Sequence, residues 1–188
     1  MNTTRPSTAA RTEGLHPELA ELAGERRTAR VIGITAAVTR ISLGFVFLWA
    51  FLDKLFGFGF ATPAERSWTA GGAPTAGFLS GVEGPFGDFF QSMSGQAWAD
   101  WLFMGGLLGI GVALTAGIAM RIAAATGALL LVLMWMASLP LENNPFMDAH
   151  LVYAMVLILL AALRAGDVAG LGALWRRLPI VRDHALLH

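Results

Sequence analysis

The chain has 188 residues, of which 55% are hydrophobic and 14% are charged. Soluble domains carry about a quarter charged residues, so this composition argues against a soluble enzyme and indicates an integral membrane protein with a few helices. The net charge is zero and there is no cysteine, so there is no basic surface for nucleic acid, no disulfide framework and no thiolate metal site.

Residues 1–30 contain several arginines but no apolar stretch, which argues against a signal peptide. We expect this segment to be cytoplasmic and largely disordered. Within it, the stretch "HPELAELAGERRTAR" is compatible with a short surface helix.

Four apolar segments follow, and a membrane helix needs about 20 such residues. They cover residues 31–58, 99–119, 122–139 and 147–164. They predict an all-α fold, an integral membrane four-helix bundle over residues 31–164. In the first segment the apolar middle is flanked by Arg40 and by Asp53 and Lys54, and we expect both cations to snorkel towards the headgroups.

The orientation follows from the arginines, because cytoplasmic flanks collect positive charge. The basic flanks are the N-terminal segment, the turn around Arg121 and residues 164–188. We therefore expect a multi-pass plasma-membrane protein with both termini cytoplasmic. Residues 59–98 form a long extracytoplasmic loop between helices 1 and 2, and residues 165–188 form a cytoplasmic tail.

Two features of this arrangement allow more than one interpretation. The second segment carries small residues at every fourth position, at Gly105, Gly109, Ala113 and Gly117. We expect this stripe to pack within the bundle, with a dimer face as the alternative. The outer loop is too long for a simple connector, and it either lies in the membrane interface or folds back as a lid.

Ionisable residues gather where two segments meet the outer face. Asp53 and Lys54 end the first segment, and Glu142, Asp148 and His150 precede or begin the fourth. Helix capping is one explanation, with Asn144 as the N-cap, Pro145 as the first helical residue and Asp148 in the first turn. Ionisable groups at membrane depth are costly, however, and often mark a site.

As a site, this cluster predicts proton-coupled chemistry on a quinone. Histidine is the side chain best suited to donating or relaying a proton near neutral pH, so His150 is the candidate for this role, with Asp148 or Asp53 orienting it. The candidate catalytic residues are therefore His150, Asp148, Asp53 and Lys54. The candidate quinone-binding residues are His150, Tyr153 and Trp49. Tyr153 offers a hydrogen bond, and Trp49 forms an apolar wall.

Other cofactors fit less well. A bis-histidine haem requires two histidines in the bundle, and His150 is the only one there. The spacing of Glu142, Asp148 and His150 matches no metal-ligand motif. We therefore predict no haem and no metal.

Several stretches resemble the DoxX family of small membrane proteins, and within it the DoxD-type subunits of thiosulfate:quinone oxidoreductases. They are "RISLGFVFLWAFLDKLFG", "APTAGFLSG", "WLFMGGLLGIGVALTAGIAMRIAAATGALLLVLMWMA" and "NPFMDAHLVYAMVLILLA". The resemblance runs from about Arg40 to Gly172. It implies a four-helix membrane bundle that passes electrons from thiosulfate to quinone, with a DoxA-type partner as a separate chain.

Two other functions remain open from the residues alone. The absence of cysteine, haem ligands and cofactor motifs is also typical of a non-catalytic membrane anchor or accessory subunit of a respiratory or redox complex. A small-molecule carrier or channel is the third, and with four spans it requires a homodimer to enclose a path.

Overall fold

The fold is taken from a computed structural model, which describes residues 8–184 and residue 187. All regular secondary structure in these residues is helical. The helices are α1 (Thr8–Phe56), α2 (Ala76–Leu79), α3 (Gly87–Gln91), α4 (Ala97–Ala116), α5 (Met120–Ala137), α6 (Ala149–Ala162), α7 (Gly172–Trp175) and α8 (Pro179–Arg182). Short 3-10 turns lie between them, at Ala64–Arg66, Trp68–Ala70, Gly84–Phe86 and Ala165–Asp167.

Three helices are long and apolar enough to cross a membrane, namely the Ala20–Phe56 part of α1, α4 and α5. The fourth apolar helix, α6, has 14 residues. At 1.5 Å per residue it extends about 21 Å, less than the roughly 30 Å of a bilayer core. The all-α prediction is confirmed, three of the four predicted spans fit a membrane, and the fourth crossing stays a prediction.

The helices α1, α4, α5 and α6 share one apolar core. It includes Phe47 of α1, Met104 and Leu114 of α4, Ala124 of α5 and Leu157 of α6. The main pairings are α1 with α4 and α5 with α6, and α4 also packs on α5. In a membrane the interior of such a bundle is held by close packing more than by exclusion of water.

The helices α1 and α4 approach most closely at a pair of glycines. A Cβ on Gly44 would lie 2.9 Å from the backbone nitrogen of Thr115, and one on Gly111 would lie 2.7 Å from Leu48. The predicted packing stripe is wrong at Gly105 and Gly109, because these residues are exposed and a Cβ there would meet no atom. The stripe was read from spacing alone, whereas the core face of α4 runs through the larger residues Met104, Leu107 and Leu114.

Arg40 lies inside the protein, and the prediction that it snorkels to the headgroups is wrong. Its side chain is fully buried. One guanidinium nitrogen donates to the carbonyl oxygens of Leu114 and Thr115 at the end of α4. The other donates to the carbonyls of Val168 and Ala169, at 3.4 and 2.9 Å. The last carbonyls of a helix have no partner within it, so the guanidinium satisfies groups that would otherwise be costly to bury.

The segment after α6 is folded against this arginine and is not a loose tail. The Leu171 N–H donates to the carbonyl of Ala116 at 2.8 Å, and Val181 is completely buried. Gly117 has a left-handed backbone (φ +74°), and a Cβ there would lie 3.0 Å from Arg40 Nη1. These contacts join the middle of α1 to the end of α4 and to the segment that follows α6, at one level of the fold.

At the N-terminus, α1 extends back to Thr8, so residues 8–30 are helical where the sequence suggested a largely disordered segment with a short helix. Residues 1–7 lie outside the described part. Alanine, leucine, glutamate and arginine are strong helix formers, and extending an existing helix avoids the cost of nucleation. The side chains of residues 20–30 are all exposed, so this extension is not packed on the bundle.

We predict that Arg40→Lys destabilises the protein by about 2 kcal/mol or more, since a lysine cannot bridge two pairs of carbonyls with a planar fork. Thermal unfolding in detergent measures the change. Arg30→Lys, at an exposed position of the same helix, is the matched control. Equal midpoints for the two variants would contradict the role assigned to Arg40.

Candidate functional site

Residues 57–96, here called the cap segment, fold over one end of the long helices. Two buried carboxylates hold them there. Asp53 of α1 accepts hydrogen bonds from the backbone N–H groups of Phe60 and Ala61, at 3.3 and 2.9 Å. Asp100 of α4 accepts from both the N–H and the hydroxyl of Thr75, at 2.8 and 2.7 Å. The cap segment is thus attached to the bundle by charge-assisted hydrogen bonds at two points.

The short helices of the cap segment also have an apolar contact with the bundle. Leu79, Val82 and Phe90 form a buried cluster with Ala99 of α4 and Ala137 of α5. These residues of the cap segment therefore pack on α4 and α5.

A cavity of about 240 Å³ lies between the cap segment and helices α1, α4 and α5. This cap cavity is lined almost entirely by apolar and aromatic side chains, among them Phe78, Phe90, Leu102, Phe103 and Met134. Phe78 and Leu102 are largely exposed as well, so the cavity communicates with the protein surface. Ligand sites for small apolar molecules have this composition, with few polar groups that fix the ligand.

Lys54 supplies the one charged side chain among the described residues that line the cap cavity. Its ammonium nitrogen lies 5.8 Å from the ring centroid of Phe103, in cation–π range. The hydroxyl of Thr75 also borders the cavity but is donated to Asp100. The Lys54 ammonium is therefore one polar group with which an apolar ligand in this cavity can form a hydrogen bond, and the indole N–H of Trp98, which also lines the cavity, is another.

His150 and Asp148 are in direct contact, so of the two carboxylates considered for this histidine it is Asp148 that lies beside it. His150 Nδ1 and Asp148 Oδ2 are 2.5 Å apart, and both side chains are partly exposed. The Leu151 N–H donates to the other carboxylate oxygen of Asp148, so both oxygens have a partner.

The prediction that Asn144 caps the last apolar helix is wrong, because this helix begins four residues later than expected. Asp148 is the N-cap of α6, with its side chain accepting from the Leu151 N–H at 3.2 Å. Asn144 instead forms a turn in the preceding loop, accepting from the N–H groups of Phe146 and Met147. Pro145 lies four residues before the first residue of α6, in a bent loop that a hydrogen bond from Trp135 to the Phe146 carbonyl ties to α5.

Asp53, Lys54 and Trp49 have their contacts elsewhere. Asp53 uses both carboxylate oxygens on the cap segment. Trp49 is stacked on Phe45 of α1 and on Phe58 of the cap segment, at 6.0 and 5.8 Å, and meets the edge of Phe60 at 5.2 Å. Tyr153 is 40% exposed on α6. The structure thus brings together His150 and Asp148, while Lys54 lies in the cap cavity and Asp53 serves the cap segment.

Sequence reasoning missed Asp100 and the cavity itself. One signal was available, because an aspartate at the start of an apolar helix between Trp98 and Trp101 is an unusual place for a charge. Its partner, Thr75, lies 25 positions earlier, and no local pattern links the two. Within residues 8–184 and 187, no group of three or more His, Asp or Glu side chains is placed to hold a metal ion.

No family model matches the chain, and no curated protein or solved structure matches it either.

We predict that Asp100→Ala frees the cap segment, because the two hydrogen bonds to Thr75 are lost and the buried Thr75 N–H has no replacement acceptor. Hydrogen–deuterium exchange of residues 73–96 is expected to speed up roughly tenfold or more. Asp88→Ala removes an exposed carboxylate of the cap segment and is the control. Unchanged exchange in Asp100→Ala would show that the apolar cluster alone holds the cap.

Proposed function

We propose that this protein is a membrane subunit of a quinone-linked oxidoreductase and that the cap cavity holds the quinone ring. One observation carries the proposal. The cap cavity is apolar and aromatic, has a single ammonium group in its lining, and lies at the end of helices long enough to cross a membrane. A quinone is a flat apolar ring with two carbonyl acceptors. It therefore matches this lining better than a soluble, highly charged metabolite does.

Lys54 has the central role in this proposal. Its ammonium donates a hydrogen bond to a quinone carbonyl and stabilises the negative charge that develops on that oxygen during reduction. Reduction to the quinol takes up two electrons and two protons. The ring of Phe103 lies 5.8 Å from the ammonium nitrogen and helps to hold the lysine side chain in the cavity.

The His150–Asp148 pair is assigned the supply of protons. The pair lies at the start of α6. The loop before it is hydrogen-bonded to Trp135, near the end of α5, and this end of α5 also borders the cap cavity. The pair is partly exposed, so it can exchange protons with water. Lys54 and the pair then have separate tasks, ligand binding and proton exchange.

The electrons come from a donor handled by a partner chain. The resemblance to DoxX proteins favours thiosulfate or a related sulfur compound, where two thiosulfate ions give tetrathionate and two electrons. The same resemblance and the arginine distribution favour four crossings of the plasma membrane, with both termini cytoplasmic.

We predict that Lys54→Met weakens the binding of a quinone analogue to the purified protein by about tenfold or more, because a charged hydrogen bond is lost. Lys54→Arg is the matched variant and should retain most of the affinity. Intrinsic tryptophan fluorescence is a suitable readout, since Trp98 lines the cavity.

His150→Ala serves as the comparison in the same titration. Under the proposal it leaves binding nearly unchanged and slows turnover of the reconstituted complex. Loss of binding in His150→Ala alone would move the quinone site to the start of α6. Absence of binding in the wild type would favour the non-catalytic anchor.

The topology is tested with single cysteines, which the cysteine-free chain makes simple. Ser92 in the cap segment and Gly24 in the extension of α1 are both exposed. We predict that a membrane-impermeant maleimide labels Ser92→Cys in intact cells and labels Gly24→Cys only after lysis. The reverse pattern would contradict the proposed orientation.

A further inference from the structure

Residues 165–182, here called the C-terminal segment, lie beside a part of α1 that reaches past the end of α4. Arg40 donates to carbonyls at the end of α4, so α4 ends level with Arg40. From Arg40 the helix α1 continues back to Val31, nine residues and about 14 Å further. The C-terminal segment packs against this stretch, since a Cβ on Gly33 would lie 3.2 Å from the side chain of Val168.

This stretch of α1 has a surface suited to lipid. Its outward side chains are large, apolar and between 49% and 59% exposed, namely Val31, Ile32, Ile34 and Val38. From Val31 to Phe56 the helix is about 39 Å long, close to the roughly 40–45 Å of a bilayer with both of its interfacial layers. The stretch therefore begins at the level of an interfacial layer, and the C-terminal segment lies beside it.

The C-terminal segment also exposes large apolar side chains of its own. They are between 45% and 70% exposed at Leu171, Leu174, Leu178 and Ile180. Arginines lie between and beside them, at Arg176, Arg177 and Arg182. This combination is typical of segments in a membrane interface, where apolar side chains enter the acyl region and the long cationic side chains reach the headgroups.

The polar groups of the C-terminal segment have partners, which irregular backbone needs at membrane depth. Arg40 donates to two of its carbonyls, and the Leu171 N–H donates to the last carbonyl of α4 at 2.8 Å. The Asp167 carboxylate accepts from Nη2 of Arg176 at 2.7 Å, so this acidic side chain is paired as well. These contacts lower the cost of placing the segment next to lipid.

We propose that the C-terminal segment is a membrane-binding surface that lies in the interfacial layer of the bilayer. A lipid surface is the partner because the exposed apolar side chains of the segment continue those of α1, a helix long enough to cross a membrane. The segment then extends the path of α6, whose 14 residues reach only about 21 Å, towards the membrane surface. Nothing in this inference depends on the proposed quinone chemistry.

The test uses spin labels on single cysteines of the full chain in liposomes, since the chain has no cysteine of its own. Collisions of each label with oxygen, which partitions into lipid, are compared with collisions with a water-soluble nickel chelate. Leu174→Cys and Ile180→Cys probe the C-terminal segment. Leu22→Cys, an exposed leucine in the extension of α1, is the matched reference for water, and Leu108→Cys, exposed on α4, is the reference for lipid.

We expect the labels at Leu174→Cys and Ile180→Cys to collide with the nickel chelate severalfold less often than the label at Leu22→Cys, and with oxygen more often. Nickel collisions as frequent as at Leu22→Cys would overturn the proposal, because the segment would then face water. Few collisions with either reagent would also overturn it in favour of a protein contact, and spin–spin broadening would identify that protein as a second copy. Leu171→Cys, also exposed, replaces either variant if one fails to fold.

Discussion

The buried guanidinium of Arg40 is the interaction on which this fold depends most. It lies in the middle of a long apolar helix and is shared between carbonyls at the end of α4 and carbonyls beyond the end of α6. A charge in this position is costly unless it is hydrogen-bonded, and unsatisfied helix-end carbonyls are costly as well. The shared hydrogen bonds lower both costs, with only the Nε of Arg40 left without a partner within the described residues, and they fix where three segments meet.

At the other end of the fold, buried negative charges are likewise held by hydrogen bonds to the backbone. Asp53 and Asp100 lie on helices that are otherwise apolar, and each accepts hydrogen bonds from backbone N–H groups of the cap segment. The cap is thereby held over α1 and α4, and a cavity remains beneath it. Lys54, next to Asp53 in sequence, lines that cavity and is within the electrostatic influence of the Asp53 carboxylate. The residue that holds the cap is thus followed directly by the residue that gives the cavity its charge.

Much of the fold could be predicted because it depends on local properties. Length and apolar composition identified α1, α4 and α5, and the polar start of α6 drew attention to the contact between Asp148 and His150. The positions of Arg40 and Asp100 could not be predicted, since their partners lie 74 and 25 residues away along the chain. The glycine stripe failed for a similar reason, because periodicity gives a helix face without showing what that face contacts.

The most direct test of the central claim is photolabelling with an azidoquinone in membranes, followed by peptide mapping. We expect label in the cap peptides around Phe78 and Phe90 and in the α4 peptide around Leu102 and Phe103, and we expect excess quinone to suppress it. Label confined to residues 144–153, or label that excess quinone does not suppress, would contradict a quinone site in the cap cavity.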